Sequence, residues 1–313
     1  MRILVTGASG FIGRHLVASG MELGNEVVGT MLSPEELENR LPRPPGVEWK
    51  RLDLRDGGSV HRVIEDVLPE AVFHLGAQAY VQAALRDPVE TFQTNVLGTI
   101  HLFEALKKRP PAKGILLASS ASAYGTASRL PITEEALLLP TNPYGVSKAA
   151  QDMLAYQYSV NFGLRIIRAR LFGTTGPGKV GDALNDFAVQ VARLERAGEP
   201  GQLKVGNLET RRDVSDIRDV LRALWIALER GDPRMPLNIG AGKSYSIREV
   251  AAALQRLARV PIQTVIDPAL LRPTDEPDNR ADISRMKALG YEPKIAIEQT
   301  ISDALNYWRA ESS

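Results

Sequence analysis

Through the first half of the chain, short apolar runs alternate with longer stretches in which apolar residues recur every three or four positions. The short runs suit strands buried on both faces, and the longer stretches suit helices laid against them. The predicted strands are Arg2–Thr6, Glu26–Thr30, Glu48–Leu52, Ala71–His74, Gly114–Ser119 and Leu164–Arg170. The predicted helices between them are Phe11–Leu23, Gly58–Val67, Val89–Lys108 and Pro143–Asn161. Such alternation predicts an α/β protein with a doubly wound parallel sheet. It decays after Phe172, where Gly and polar residues surround one helix, Asn185–Ala197. A helix at about Ile217–Glu229 and a strand at Pro236–Ile239 return to the first pattern. A helix (Ile247–Leu257), a short strand (Gln263–Ile266), a Pro-rich loop and a last helix (Glu298–Ala310) follow. The division implied is one domain from residues 1–170 and 216–240, and a smaller, discontinuous α/β lobe from 171–215 and 241–313.

Composition excludes several classes of function. The 38 basic and 37 acidic residues leave a formal net charge of +1, too little to track a nucleic-acid backbone. There is no cysteine, hence neither a disulfide framework nor a thiolate metal site. His15, His61, His74 and His101 are scattered singly, so no protein-bound metal is expected. Met1 leads directly into an apolar strand, and no run is long enough to cross a membrane, so a soluble cytoplasmic protein is expected.

The first strand ends on Gly7-Ala8-Ser9-Gly10-Phe11-Ile12-Gly13, which opens the first helix. At this place Gly7 permits the tight turn, Gly10 lets backbone N–H groups approach a pyrophosphate, and Gly13 lets helix and sheet pack closely. A sharp turn without a ligand needs fewer glycines. The spacing therefore predicts a Rossmann-type dinucleotide site that uses Ser9, Phe11 and Ile12 as well. The second strand ends without an acid to bind ribose hydroxyls, which favours NADP(H) over NAD(H), with Thr30 or Ser33 as donors. Asp53 and Leu54, after the third strand, suit the adenine edge, although Asp53 also suits a solvated turn. Leu75, Gly76 and Ala77 are small or apolar residues where backbone must pass the cofactor. His74 reads as a packed strand-end residue.

Ser120 and the run Asn142-Pro143-Tyr144-Gly145-Val146-Ser147-Lys148 supply a hydroxyl, a phenol and an ammonium. Asn142 suits a helix cap and Pro143 the first helical position, so Tyr144 and Lys148 lie one turn apart on one face. A phenol with a free pKa near ~10 serves as an acid near neutral pH only when a cation stabilises its anion, and Lys148 is placed to do so.

Together these residues resemble the extended short-chain dehydrogenase/reductase superfamily over essentially the whole chain. The resemblance implies that Tyr144 is the acid/base, that Lys148 lowers its pKa and holds the nicotinamide ribose, and that Ser120 hydrogen-bonds the reacting oxygen. It places Asn95 near the cofactor, with helix packing as the alternative. The motifs Arg212-Asp213, Asp216, Arg218-Asp219, Leu271-Arg272-Pro273-Thr274-Asp275 and Ala288 to Lys294 resemble those of GDP-mannose 4,6-dehydratases and their partner reductases. In that group Arg212 and Arg272 would meet the nucleotide diphosphate, Asp275 the ribose, and Gln78, Ser120 and Ser122 the sugar. Asp213 could instead be structural, paired to an Arg.

Dehydration needs an acid and a base beside the tyrosine, and dehydratases carry Thr-Asp-Glu or Thr-Ser-Glu where this chain has Ser120-Ala121-Ser122. The resemblance therefore implies reduction at C4 of GDP-4-dehydro-6-deoxy-D-mannose to GDP-D-rhamnose, by a homodimer formed through Val89–Lys108 and Pro143–Asn161. Gly173 stands where such reductases often have Asn. A C4 epimerase, a reductase of a dTDP- or CDP-linked keto-sugar, and an NAD(P)-sensing regulator remain open alternatives.

Overall fold

The computed structural model describes residues 1–33, 44–271 and 277–311. Twelve strands run in the order β1 (Arg2–Thr6), β2 (Glu26–Met31), β3 (Glu48–Arg51), β4 (Ala71–His74), β5 (Gly114–Ser120), β6 (Ile166–Leu171), β7 (Gly173–Thr175), β8 (Gly201–Val205), β9 (Arg211–Asp216), β10 (Leu237–Ile239), β11 (Ser244–Ser246) and β12 (Ile262–Ile266). Seven of them form one parallel sheet in the order β10-β6-β5-β4-β1-β2-β3. The chain winds outward from β1 in one direction and from β4 in the other. The crevice at the carboxyl ends of β1 and β4 is therefore the topological switch point, where open α/β sheets place their ligands.

Strand side chains alternate between the two faces, as the period of two requires. In β1, Ile3 and Val5 join a core that includes Leu16, Phe73, Tyr124 and Leu224, while Leu4 points into the opposite core with Val60, Leu102, Phe103 and Ile115. A third core, with Phe187, Leu203, Leu254 and Leu305, lies among the later helices and strands. There β7, β9 and β11 form a three-stranded sheet, and β8 pairs with β12.

Two expectations are corrected. The single helix Val89–Lys108 is three joined pieces: Pro88–Phe92, a π-helical turn Gln93–Leu97, and Gly98–Lys108. A separate short helix, Val81–Arg86, precedes them, and the break is made by Asp87, whose carboxylate accepts the amide of Glu90 at 2.8 Å, with Pro88 in the first turn. The strands β7, β8, β9 and β11 were not expected. In β9 the fully buried positions are Asp213, Ser215 and Asp216, all polar, so the apolar alternation that betrays a strand is missing.

Candidate active site

Gly7 follows β1 with φ +68°, and a Cβ there would fall 2.7 Å from the Gly76 backbone of the loop after β4. Gly13 lets the first helix settle on this turn, since its Cβ would lie 2.3 Å from the Gly7 carbonyl. Gly10 differs. Its Cβ would meet only the Gly7 carbonyl, at 3.2 Å, and otherwise open space. Gly10 also caps the Phe11–Glu22 helix with no side chain, so the amides that open this helix face outward without a side-chain acceptor. Open space in front of uncapped amides fits a pyrophosphate, and the residues present thus fit a dinucleotide. Thr30 braces the turn from below: it is 2% exposed, and its hydroxyl accepts the Gly7 amide at 3.3 Å.

The second wall is the loop Leu75-Gly76-Ala77-Gln78. Asn95, fully buried on the π-helical turn, holds it at both ends of one residue: its Oδ1 accepts the Gln78 amide at 2.8 Å and its Nδ2 donates to the Gln78 carbonyl at 3.1 Å. The same Nδ2 donates to Ser147 Oγ at 2.9 Å, joining this loop to the helix that carries Tyr144. The Gln78 side chain is used within the loop, its Nε2 donating to Thr91 Oγ1 and its Oε1 accepting the Tyr80 amide. His74 is a packed residue. Its Nδ1 pairs with Thr6 Oγ1 at 2.7 Å and its Nε2 with Thr99 Oγ1 at 2.9 Å, and burial lowers its pKa to about 3.

Asn142 caps the Pro143–Phe162 helix as expected, its Oδ1 accepting the Gly145 amide at 2.9 Å. Gly145 is a residue that sequence reasoning passed over. A Cβ there would lie 2.4 Å from the Ser122 carbonyl and 2.9 Å from Pro140 Cβ, so its absence lets the helix start dock directly on the turn after β5. That docking brings Tyr144 to Ser120. Ser120 Oγ accepts the Ser122 amide at 3.2 Å, and Ser120 is the side chain that acts on the Tyr144 phenol. Lys148 is 4% exposed, its Nζ 5.9 Å from the Tyr144 ring centroid and donating to the Ala118 carbonyl at 2.9 Å.

The electrostatics correct one expectation. Burial pushes the Tyr144 phenol above its usual pKa, and the hydrogen bond from Ser120 pulls against that rise. Lys148 is not among the groups that lower it. Burial instead lowers the pKa of Lys148 itself, to about 7. Among the described residues no carboxylate shifts the Tyr144 phenol.

Other candidates lie in less direct positions. The Asp53 carboxylate is held by Arg55, which donates through its backbone amide, Nε and NH2 and keeps the acid below its usual pKa. Leu54 is buried beneath Gly76 and Gly98. The Ser9 carbonyl accepts from Arg14 Nε at 2.9 Å. Arg212 lies on β9, in register with Tyr245 of β11. Asp213 is buried, and among the described residues it pairs with no Arg: it accepts from the Ala241, Gly242 and Ala281 amides at 2.7, 2.9 and 3.1 Å and from Ser215 Oγ at 3.5 Å. Gly173 is required where it stands, because a Cβ there would fall 2.3 Å from the Asp213 carbonyl. Arg272 and Asp275 lie outside the described residues. A buried charge cluster also escaped sequence reasoning. Asp152, on the Tyr144 helix, accepts from Arg170 at 2.9 Å through both oxygens and from Arg168 at 3.2 Å, tying that helix to β6.

Residues 4–304 match the family described as GDP-mannose 4,6 dehydratase. The GDP-6-deoxy-D-mannose reductase of Pseudomonas aeruginosa is 36% identical over 99% of this chain and 97% of its own. Among solved structures, RMD from Pseudomonas aeruginosa, complexed with NADPH, has a TM-score of 0.86 at 34% identity and covers 99% of this chain and 100% of its own. A UDP-glucose 4-epimerase from Thermotoga maritima, with UDP-glucose, has a TM-score of 0.90 at 28% identity with both chains fully covered. The glycine turn at the switch point, the Ser120–Tyr144–Lys148 cluster and these likenesses lead to one conclusion: the chain belongs to the GDP-mannose 4,6-dehydratase family of extended short-chain dehydrogenases/reductases and is an NAD(P)-dependent oxidoreductase.

Proposed function

We propose that this protein reduces the C4 keto group of GDP-4-dehydro-6-deoxy-D-mannose to give GDP-D-rhamnose. The observation that carries the reading is the Tyr144 phenol beside Ser120, on a turn whose next residues are Ala121 and Ser122. That turn has a proton donor for a carbonyl and no acid or base for removing water. The likeness to a GDP-6-deoxy-D-mannose reductase supports the same choice.

The nicotinamide, when bound, supplies the hydride. The chain's own residues do the rest. Ser120 and Tyr144 donate hydrogen bonds to the carbonyl oxygen as negative charge grows on it, and Tyr144 gives up its proton, which favours the transition state over the ground state. The Lys148 side chain, its Nζ 5.9 Å from the Tyr144 ring centroid, suits a contact to the cofactor ribose. The turn of Gly7, Gly10 and Gly13 takes the pyrophosphate. The lobe of residues 171–215 and 241–313, with Arg212, Arg272 and Asp275, grips the nucleotide diphosphate and ribose, and this remote binding positions the sugar.

For the cofactor, NADP(H) is favoured. The end of β2 carries no acid, and the exposed Arg51 at the end of β3, in register with Met31, is the guanidinium proposed to meet a 2′-phosphate. The assembly proposed is a homodimer. Val146, Met153 and Val160 on the Tyr144 helix are 40%, 60% and 59% exposed, and Val89, Phe92 and Leu97 add to one apolar face that a second copy would cover. Light scattering tests it, and a monomer at micromolar concentration would remove it.

The reductase reading is tested by adding GDP-4-dehydro-6-deoxy-mannose to protein and NADPH and following absorbance at the nicotinamide band. One cofactor oxidised per sugar converted is expected. Conversion of the sugar with no net oxidation would assign a C4 epimerase instead.

A further inference from the structure

We propose that Lys179 is a phosphate-binding residue, reaching from the loop between β7 and the Ala183–Ala197 helix toward a pyrophosphate at the glycine turn. The proposal rests on the dinucleotide and nucleotide-sugar reading above. The Lys179 Nζ stands 5.2 Å from the centroid of the Phe11 ring, and Phe11 is the first residue of the helix whose cap, Gly10, has no side chain to offer. A lysine from the later part of the chain thus stands over the turn that faces the phosphates.

The charge of this lysine is poorly answered by the protein. Lys179 is half-buried and makes no ion pair among the described residues, and burial lowers its pKa from the usual lysine value. The carboxylate that acts on it, Asp182, is already committed. Asp182 accepts from Thr175 Oγ1 at 2.6 Å, from the Asn185 amide at 2.8 Å and from Asn185 Nδ2 at 3.1 Å, which caps the Ala183–Ala197 helix. Turning that carboxylate to Lys179 would break the cap. An aromatic face and a distant acid leave a partly desolvated ammonium with an unmet demand for negative charge. A phosphate oxygen is the ligand that meets it, through a charge-assisted hydrogen bond.

The loop is fixed rather than trailing. A Cβ on Gly176 would lie 2.7 Å from Ile217 and 3.5 Å from the Phe11 ring, and one on Gly181 would lie 3.3 Å from the Tyr80 ring. It therefore touches both walls of the crevice, and its lysine is held where a pyrophosphate of either the cofactor or the nucleotide sugar would pass.

The experiment titrates full-length wild type, Lys179→Met and Lys179→Arg with NADPH, ADP, adenosine, GDP and guanosine by calorimetry, with thermal melts to confirm folding. Lys179→Met is expected to weaken a phosphate-bearing ligand by roughly 10–100-fold, the nucleoside lacking phosphate being unaffected and Lys179→Arg retaining most of the affinity. Loss with NADPH and ADP assigns the cofactor's pyrophosphate, and loss with GDP alone assigns the substrate's. Unchanged affinity for both NADPH and GDP overturns the proposal, as does an equal loss for adenosine or guanosine. A wild-type protein that binds neither NADPH nor NADH overturns the dinucleotide reading itself, before any variant is compared.

Discussion

Gly145 offers the sharpest test of how the site is assembled. In Gly145→Ala the new Cβ starts 2.4 Å from the Ser122 carbonyl, and a contact of even 3.0 Å requires the helix start and the turn after β5 to part by about 0.6 Å. Pro140 Cβ, at 2.9 Å on the other side, blocks the easy escape. Overpacking of this kind costs about 1–3 kcal/mol, within what a folded domain of this size tolerates. The functional cost is larger in proportion, because Tyr144 is the neighbour of the displaced residue and Ser120 lies two residues before the carbonyl that displaces it. A 1 Å misplacement at a reacting centre costs on the order of 100-fold, so a displacement of this size predicts a fall in kcat of roughly 10–100-fold. Steady-state kinetics with NADPH and GDP-4-dehydro-6-deoxy-mannose measure it, alongside the cofactor Kd, which is expected to stay within about threefold because the glycine turn is untouched. A soluble, folded variant with wild-type kcat would refute the claim that this contact sets the Ser120–Tyr144 geometry.

Three further predictions follow from the same structure. The folded pKa of Lys148, about 7, lies below that of an unfolded lysine, so between pH 7 and about 10 the unfolded chain binds more protons and this group makes stability rise with pH. Lys148→Met should remove that rise from the difference in melting temperature between wild type and variant of the ligand-free protein; parallel curves would contradict it. Asp152→Asn leaves Arg168 and Arg170 buried without their shared counter-charge and should destabilise by about 3–5 kcal/mol in denaturant titrations at neutral pH. A loss below 1 kcal/mol would show that the cluster does not anchor the helix. Arg51→Glu should raise the KM for NADPH by roughly tenfold or more and leave that for NADH nearly unchanged; an equal effect on both would place the 2′-phosphate elsewhere.

The sheet and the principal chemical groups were legible in the sequence because their signals are local. A first strand ending on three spaced glycines, and an Asn-Pro cap one turn ahead of Lys148, each state their geometry within a few residues. The second lobe was not legible: β9 buries Asp213, Ser215 and Asp216, and a strand whose buried residues are all polar lacks the apolar period that identifies strands. The positions of Gly145 and Gly173 depend on which distant carbonyl passes close by, Ser122 in one case and Asp213 in the other, and nothing near either glycine announces that neighbour. The motif Ala288 to Lys294 read as part of a family signature, and in the structure it straps the C-terminal segment to the fold: Tyr291 is 2% exposed, and the Lys294 and Ile295 amides donate to Asp219. Asn95 is a comparable case. The resemblance placed it near the cofactor with helix packing as the alternative, and the structure shows the packing, a single amide that ties the Gln78 backbone to Ser147.

The central claim is that the Tyr144 phenol delivers the proton to a carbonyl. Its most direct measurement is turnover of Tyr144→Phe with NADPH and GDP-4-dehydro-6-deoxy-mannose, with the cofactor Kd determined on the same preparation. The account predicts a loss of at least roughly 100-fold in kcat with a cofactor Kd near that of wild type. A variant that turns over at close to the wild-type rate would contradict it.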